Sequence, residues 1–300
     1  MRILLFGKNG QVGWELQRSL APLGEVIALD RHSTEHCGDL LNPTGVAQTV
    51  LSVRPDVIVN AAAYTAVDKA ETDQANANIV NAEAPGAMAL AAATIGAKLV
   101  HYSTDYVFDG TGNAAWRETD GTAPLSVYGA SKLAGEKAIA HSGGRHLIFR
   151  TSWVYAARGG NFAKTMLRLA QERDTLSVIN DQIGAPTGAD LLADVTAQAL
   201  TRWAHRDALG GLYHLSAAGE TSWFGYAKHL FAQARQQGMA LKLVDAQLKP
   251  IPSSAYKTAA QRPLNSRLDC TKLKSDFNLH LPHWTVGINR MLAEIQSNTP

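Results

Sequence analysis

The chain has 300 residues, 46% of them hydrophobic, 18% charged and 7% aromatic, which supplies a large apolar core and excludes intrinsic disorder. Twenty-eight Lys and Arg against 26 Asp and Glu leave a formal charge of +2, too little for a surface dedicated to a nucleic-acid backbone. No apolar run approaches the ~20 residues of a membrane span and no secretory signal pattern opens the sequence, so a cytoplasmic protein without membrane or nucleic-acid partners is expected. Cys37 and Cys270 are too few for a disulfide framework or a four-cysteine zinc site and read as reduced and structural.

In chain order, short apolar runs at Arg2–Phe6, Glu25–Leu29, Asp56–Asn60, Lys98–Tyr102, His146–Arg150 and Leu176–Asn180 predict strands covered on both faces. Between them, Val12, Leu16 and Leu20 recur at helical spacing, and Ala82–Ala93 consists almost throughout of strong helix formers. This alternation predicts an α/β fold, a Rossmann-type doubly wound parallel sheet, with ligands gathered beyond the carboxyl ends of the strands. After Thr151 the pattern loosens into helices at Phe162–Glu172, Leu191–Trp203, Trp223–Gln236 and Trp284–Gln296. Residues 1–150 therefore read as the NAD(P)-binding domain and 151–300 as a smaller, interleaved α/β substrate-binding region, with 176–205 returning to the first domain.

The first strand runs into Gly7-Lys8-Asn9-Gly10-Gln11-Val12-Gly13, glycines that open a helix. Such spacing suits a dinucleotide: one glycine for the tight turn, one for backbone approach to a pyrophosphate and one for close packing of helix on strand. Asp30 ends the second strand, where an acid meets the adenosine ribose ~20 residues past the loop. Arg31 and Lys8 offer cations for a 2′-phosphate, so the cofactor reads as NADPH by a narrow margin, with NADH also usable. Arg158-Gly159-Gly160 reads as a flexible connection, and the basic stretch Lys249–Arg267 is a candidate guard of a diphosphate pocket. The histidines show no zinc-binding spacing.

Tyr128 and Lys132 stand four apart in a helical stretch and so share a face. A nearby ammonium is expected to lower the phenol's pKa and make it a better proton shuttle, although pairs of this kind also occur on ordinary solvated faces. The preceding strand ends in His101-Tyr102-Ser103-Thr104-Asp105, which puts a hydroxyl, Thr104 before Ser103, at the same crevice. Together these predict carbonyl reduction: hydride to a ketone carbon and a proton from Tyr128 to its oxygen.

The glycine loop, Asn60-Ala61-Ala62-Ala63-Tyr64-Thr65, Ser103-Thr104-Asp105-Tyr106-Val107-Phe108-Asp109-Gly110 and Tyr128-x-x-x-Lys132 resemble the extended short-chain dehydrogenase/reductases. Arg150-Thr151-Ser152-Trp153-Val154-Tyr155, Asn161-Phe162, Asp181 through Thr187 and Arg262-Pro263-x-x-Ser266 resemble, within them, the dTDP-4-dehydrorhamnose reductase family. The resemblance spans nearly the whole chain. It implies reduction of the 4-keto group of dTDP-4-dehydro-L-rhamnose, with Tyr128 catalytic, Lys132 holding the nicotinamide ribose and Thr104 tuning the tyrosine and touching the sugar. It further implies cofactor contacts from Gly7, Gly10, Gln11, Val12 and Gly13, from Asp30 and Arg31 at the adenosine ribose, from Asp39 and Leu40 at the adenine, and from Ala63, Tyr64, Thr65 and Tyr102. Asp105 and Trp153 would join Thr104 on the nucleotide sugar. Some members hold Mg2+ at a homodimer contact through carboxylates; the matching positions are Glu15, Asp190 and Glu294, the middle one a methylene shorter than the family's glutamate.

The nearest alternatives are nucleotide-sugar epimerases and 4,6-dehydratases of the same superfamily, and a regulatory NADP-binding subunit without turnover. Dehydration needs an Asp-Glu pair after the strand-end threonine, whereas Tyr106 follows Thr104-Asp105 here. Retention of Tyr128, Lys132 and Thr104 disfavours the regulatory reading.

Overall fold

Five of the six apolar runs become neighbouring strands: β1 (Arg2–Phe6), β2 (Glu25–Leu29), β3 (Val57–Asn60), β4 (Lys98–Thr104) and β5 (His146–Thr151). Apart from four two-residue strands, three more follow among the described residues as β6 (Leu176–Ile179), β7 (Gly211–His214) and β8 (Leu248–Ile251). In this computed structural model, which describes residues 1–297, the central sheet is parallel throughout with the order β7-β5-β4-β3-β1-β2. Asn298, Thr299 and Pro300, the end of the expected substrate region, lie outside the described residues.

β1 is sandwiched as its composition requires. Ile3 and Leu5 face α1 (Gln11–Leu20), while Leu4 and Phe6 join the core under α2 (Pro43–Val53) and α3 (Ala84–Ile95). All four are fully buried, each contributing ~1.5–3 kcal/mol of hydrophobic free energy. Further helices are α4 (Val127–His141), α5 (Phe162–Glu172), α6 (Ala189–Trp203), α7 (Trp223–Gln236) and α8 (Trp284–Ser297). Asn42, Ser126, Asn161 and Ser222 cap α2, α4, α5 and α7 by accepting a backbone N–H three residues on, ~1 kcal/mol apiece. A second core joins Leu167, Leu176, Val178, Tyr226, Phe231, Trp284 and Ile288 beneath the C-terminal helices.

The expected return of 176–205 to the sheet needs correction in its first part. β6 pairs with β8 in a separate two-stranded sheet, and the place beside β5 belongs to β7. The reason lies in the alternation of β6, where Leu176 and Val178 are buried but Ser177 is exposed, so it suits a strand covered on one face. The following helix does return: α6 buries Leu192, Ala199 and Trp203 with Leu16 and Leu20 of α1, and Asp194 accepts from Ser19 Oγ at 2.6 Å and Arg18 Nη2 at 2.8 Å. Strand order reverses between β1 and β3, so the ligand crevice opens beyond their carboxyl ends.

Candidate active site

A cavity of about 960 Å3 opens at that reversal, lined by the loops after β1 to β5. Gly7, at φ 89°, occupies the left-handed region, and a Cβ there would stand 2.8 Å from the Ala62 nitrogen. A Cβ on Gly13 would come within 2.0 Å of the Gly7 carbonyl, so only glycine lets α1 close on the strand. No side chain caps α1 at Gly10, which leaves its first-turn N–H groups and the positive helix end open to the cavity. That is a cradle suited to a pyrophosphate. The Asp30 carboxylate accepts from the His32 N–H at 2.8 Å and lies 3.8 Å from Lys8 Nζ; the His32 contact, ahead of Lys8, holds it below the ordinary carboxylate range. Arg31, Asp39, Leu40, Ala63, Tyr64, Thr65 and Tyr102 line the same space, whereas Gly13 acts from behind the loop.

Ser126 caps α4 so that Tyr128 and Lys132 face β4 one turn apart. The Thr104 hydroxyl donates to Asp105 Oδ1 at 3.1 Å and accepts from the Tyr106 N–H at 3.2 Å, which fixes it beside Tyr128. Burial pushes the Tyr128 phenol up to about 12, against the pull of its hydrogen bond with Thr104, and Asp105 adds to the rise. The lowering expected from Lys132 is therefore not seen: its Nζ donates to the Tyr102 carbonyl at 2.6 Å and meets His101 Nε2 at 3.1 Å. Burial pulls Lys132 itself down to about 8, partly offset by Glu136 on the next turn. Asp105, buried with Oδ2 unpartnered, is pushed up to about 6 by desolvation, against the lowering pull of the nearby Ser266 hydroxyl and of the hydrogen bond that Thr104 donates to Oδ1.

Trp153 holds a left-handed backbone, φ 50°, and stacks on Trp223 with ring centroids 3.6 Å apart. A non-glycine residue held there is costly by ~1–3 kcal/mol, and the stack maintains it. Trp223 also walls a second cavity of about 1360 Å3, lined by β6, Gln182 and residues 253–262, so the Trp153 end of the first cavity borders a space large enough for a nucleotide. Arg262 reaches that space but is held by Asp68 in a two-point ion pair at 2.7 and 3.1 Å. Arg158-Gly159-Gly160 is exposed, with Arg158 3.8 Å over the Trp14 ring, and just beyond it Asn161 Nδ2 donates to Gln11 Oε1 at 2.9 Å.

Glu15, Asp190 and Glu294 line one small cavity together with Arg290. They do not make a metal site within the chain: Arg290 pairs with Asp190 at 3.2 Å, Arg18 with Glu15 at 3.3 Å, and no group of three ligating side chains occurs among the described residues. Both cysteines are free thiols.

Three residues of the site escaped the sequence. Asn81 sits in a π-helical turn, Ile79–Glu83, just ahead of the helical stretch expected from Ala82 and overlapping it only at Ala82 and Glu83. Its side chain accepts from the Tyr64 N–H at 2.8 Å and donates to the Tyr64 carbonyl and Ser131 Oγ, locking the loop after β3 to α4. Trp223 carried no signal beyond a helix start, and His101 none beyond its place in a strand.

The family model described as RmlD substrate binding domain matches residues 1–297. A dTDP-4-dehydrorhamnose reductase from Salmonella typhimurium is 60% identical over 299 residues, covering 100% of this chain and 99% of that one. Two crystal structures of dTDP-4-dehydrorhamnose reductases share the fold across the chain. The one from Clostridium acetobutylicum has a TM-score of 0.90 at 32% identity, covering 99% of this chain and 100% of that one. The one from Bacillus anthracis, in complex with NADP, has a TM-score of 0.86 at 36% identity, covering 98% and 99%.

Proposed function

Because the chain belongs to the RmlD substrate binding domain family, beside a dTDP-4-dehydrorhamnose reductase 60% identical to it, we infer that it reduces the 4-keto group of dTDP-4-dehydro-L-rhamnose to give dTDP-L-rhamnose. The reductant is NADPH, supported by the relative crystallised with NADP, with NADH as a second donor; when bound it supplies the hydride that adds to the ketone carbon. Tyr128 gives its proton to the sugar oxygen as negative charge develops there. A phenol held at about 12 is fully protonated at neutral pH, which suits a donor in a reduction. Thr104 turns its one hydroxyl proton from Asp105 to the same oxygen, and Lys132 holds the nicotinamide ribose and restores the proton lost by Tyr128. Asp30 and Arg31 hold the adenosine ribose, the first turn of α1 the pyrophosphate, and Asp105 and Trp153 the sugar. A homodimer and a cytoplasmic location belong to the same reading; within one chain, Arg18 and Arg290 pair with two of the three carboxylates suggested for magnesium at that homodimer contact.

The observation that carries this reading is the single cavity shared by the glycine loop, Thr104, Tyr128 and Lys132. It is tested by NADPH oxidation with dTDP-4-dehydro-L-rhamnose against the UDP-linked analogue. One NADPH consumed per sugar, with preference for the dTDP form, is expected. Sugar conversion without net consumption would mean an epimerase, and NADPH binding without turnover a binding subunit.

A further inference from the structure

We propose that His101 is a positioning residue that sets the proton affinity of Lys132 through a directed chain of hydrogen bonds beginning at Asn60. The proposal rests on the assignment of Tyr128 and Lys132 just given. Asn60 on β3 and His101 on β4 are register partners, and both, like Lys132, are almost wholly buried. The direction of the chain is fixed at its far end. The Ala62 N–H donates to Asn60 Oδ1 at 3.1 Å, so the Asn60 amide presents its NH2 to His101 Nδ1, also at 3.1 Å. Nδ1 must then accept, and a neutral imidazole carries its one proton on Nε2. Burial and the neighbouring Lys132 hold His101 well below the ordinary histidine range, so the ring is neutral.

His101 Nε2–H therefore points at Lys132 Nζ from 3.1 Å. An ammonium has three donors and nothing to accept with, whereas an amine has a lone pair. That contact is satisfied only when Lys132 has released a proton, while its 2.6 Å bond to the Tyr102 carbonyl is satisfied in either state. The chain thus favours the amine. Little nearby restores the ammonium: Glu136 accepts two hydrogen bonds from Arg150 of β5, at 2.9 and 2.6 Å, and Asp105 is engaged with Thr104 at the Tyr128 end. Lys132 falls to about 8, where it exchanges protons at neutral pH. Once Tyr128 has protonated the sugar oxygen, the Lys132 ammonium can release one proton toward the phenolate and remain as the amine that Nε2–H supports.

The test is a titration of the free protein followed by the lysine 13Cε NMR signal, assigned by its loss in Lys132→Met. His101→Gln lets an amide oxygen face the ammonium. Asn60→Asp takes a proton at Nδ1 and turns Nε2 into an acceptor. Each is expected to raise the Lys132 midpoint by about one or more toward the ordinary ~10.4, and to move the alkaline limb of kcat/KM the same way. A wild-type midpoint at the ordinary lysine value, or a midpoint unmoved in whichever variant folds, overturns the proposal. The titration needs no turnover, so its failure is distinct from failure of the Tyr128 assignment, which is judged by Tyr128→Phe kinetics.

Discussion

Replacing Asp105 by Asn should stabilise the ligand-free protein, and do so only where the aspartate is ionised. Asp105 is 2% exposed and its Oδ2 has no partner, so desolvation lifts it from an ordinary 3.8 to about 6 in the folded state. A carboxyl whose folded value is raised contributes stability that is complete below pH ~3.8 and is lost as the pH climbs through ~6. A gap of about two pH units corresponds to about 3 kcal/mol above pH 7, falling below about 1 kcal/mol at pH 4. Asn keeps the shape and an oxygen for Thr104 without the charge. At ~2.1 cal/mol/K of unfolding entropy per residue, about 3 kcal/mol in a chain of 300 residues is a Tm gain of about 5 °C at pH 8. Calorimetric melts of both proteins at pH 4, 6 and 8 measure it. A Tm difference that is flat with pH, or a less stable variant at pH 8, would refute the reasoning that an ionised carboxylate is held at a cost in this pocket.

Tyr128→Phe keeps the ring and its edge contact with Tyr106 but has no proton to give, so kcat should fall ~10²–10⁴-fold with NADPH affinity retained by fluorescence titration. Gly13→Ala drives a methyl into the Gly7 carbonyl; the ~1–3 kcal/mol of overpacking should appear as a ~5–150-fold loss of NADPH affinity measured by calorimetry. Arg150→Met strands the buried Glu136 carboxylate, and denaturant melts should show a loss of ~3–5 kcal/mol, largely recovered when Glu136→Gln is added.

Sequence reasoning succeeds here wherever the determinant is local. Continuous apolar runs located β1 and β2 to the residue, because a strand covered on both faces has no room for polar alternation. The glycine loop and the Tyr128–Lys132 pair follow from spacing along one element. β7 was hidden because a short stretch entered through Gly210 and Gly211 has no distinctive run; its sheet position depends on pairing with β5. His101, Asn81 and Trp223 gain their roles from partners 17 to 50 positions or more away, as the Asn81 contacts to Tyr64 and Ser131 illustrate. The phenol departs from its local signal for the same reason: a lysine one turn away suggests a lowered pKa, but burial and the turn of Nζ toward β4 decide it.

The claim on which the mechanism depends is that hydride and proton meet at one sugar carbonyl beside Tyr128. Incubating the enzyme with dTDP-4-dehydro-L-rhamnose and NADPH deuterated at both nicotinamide C4 positions, then locating the label by NMR, measures this directly. One deuterium at C4 of each sugar formed is the predicted result. Product without deuterium, or with it on another carbon, would contradict the account.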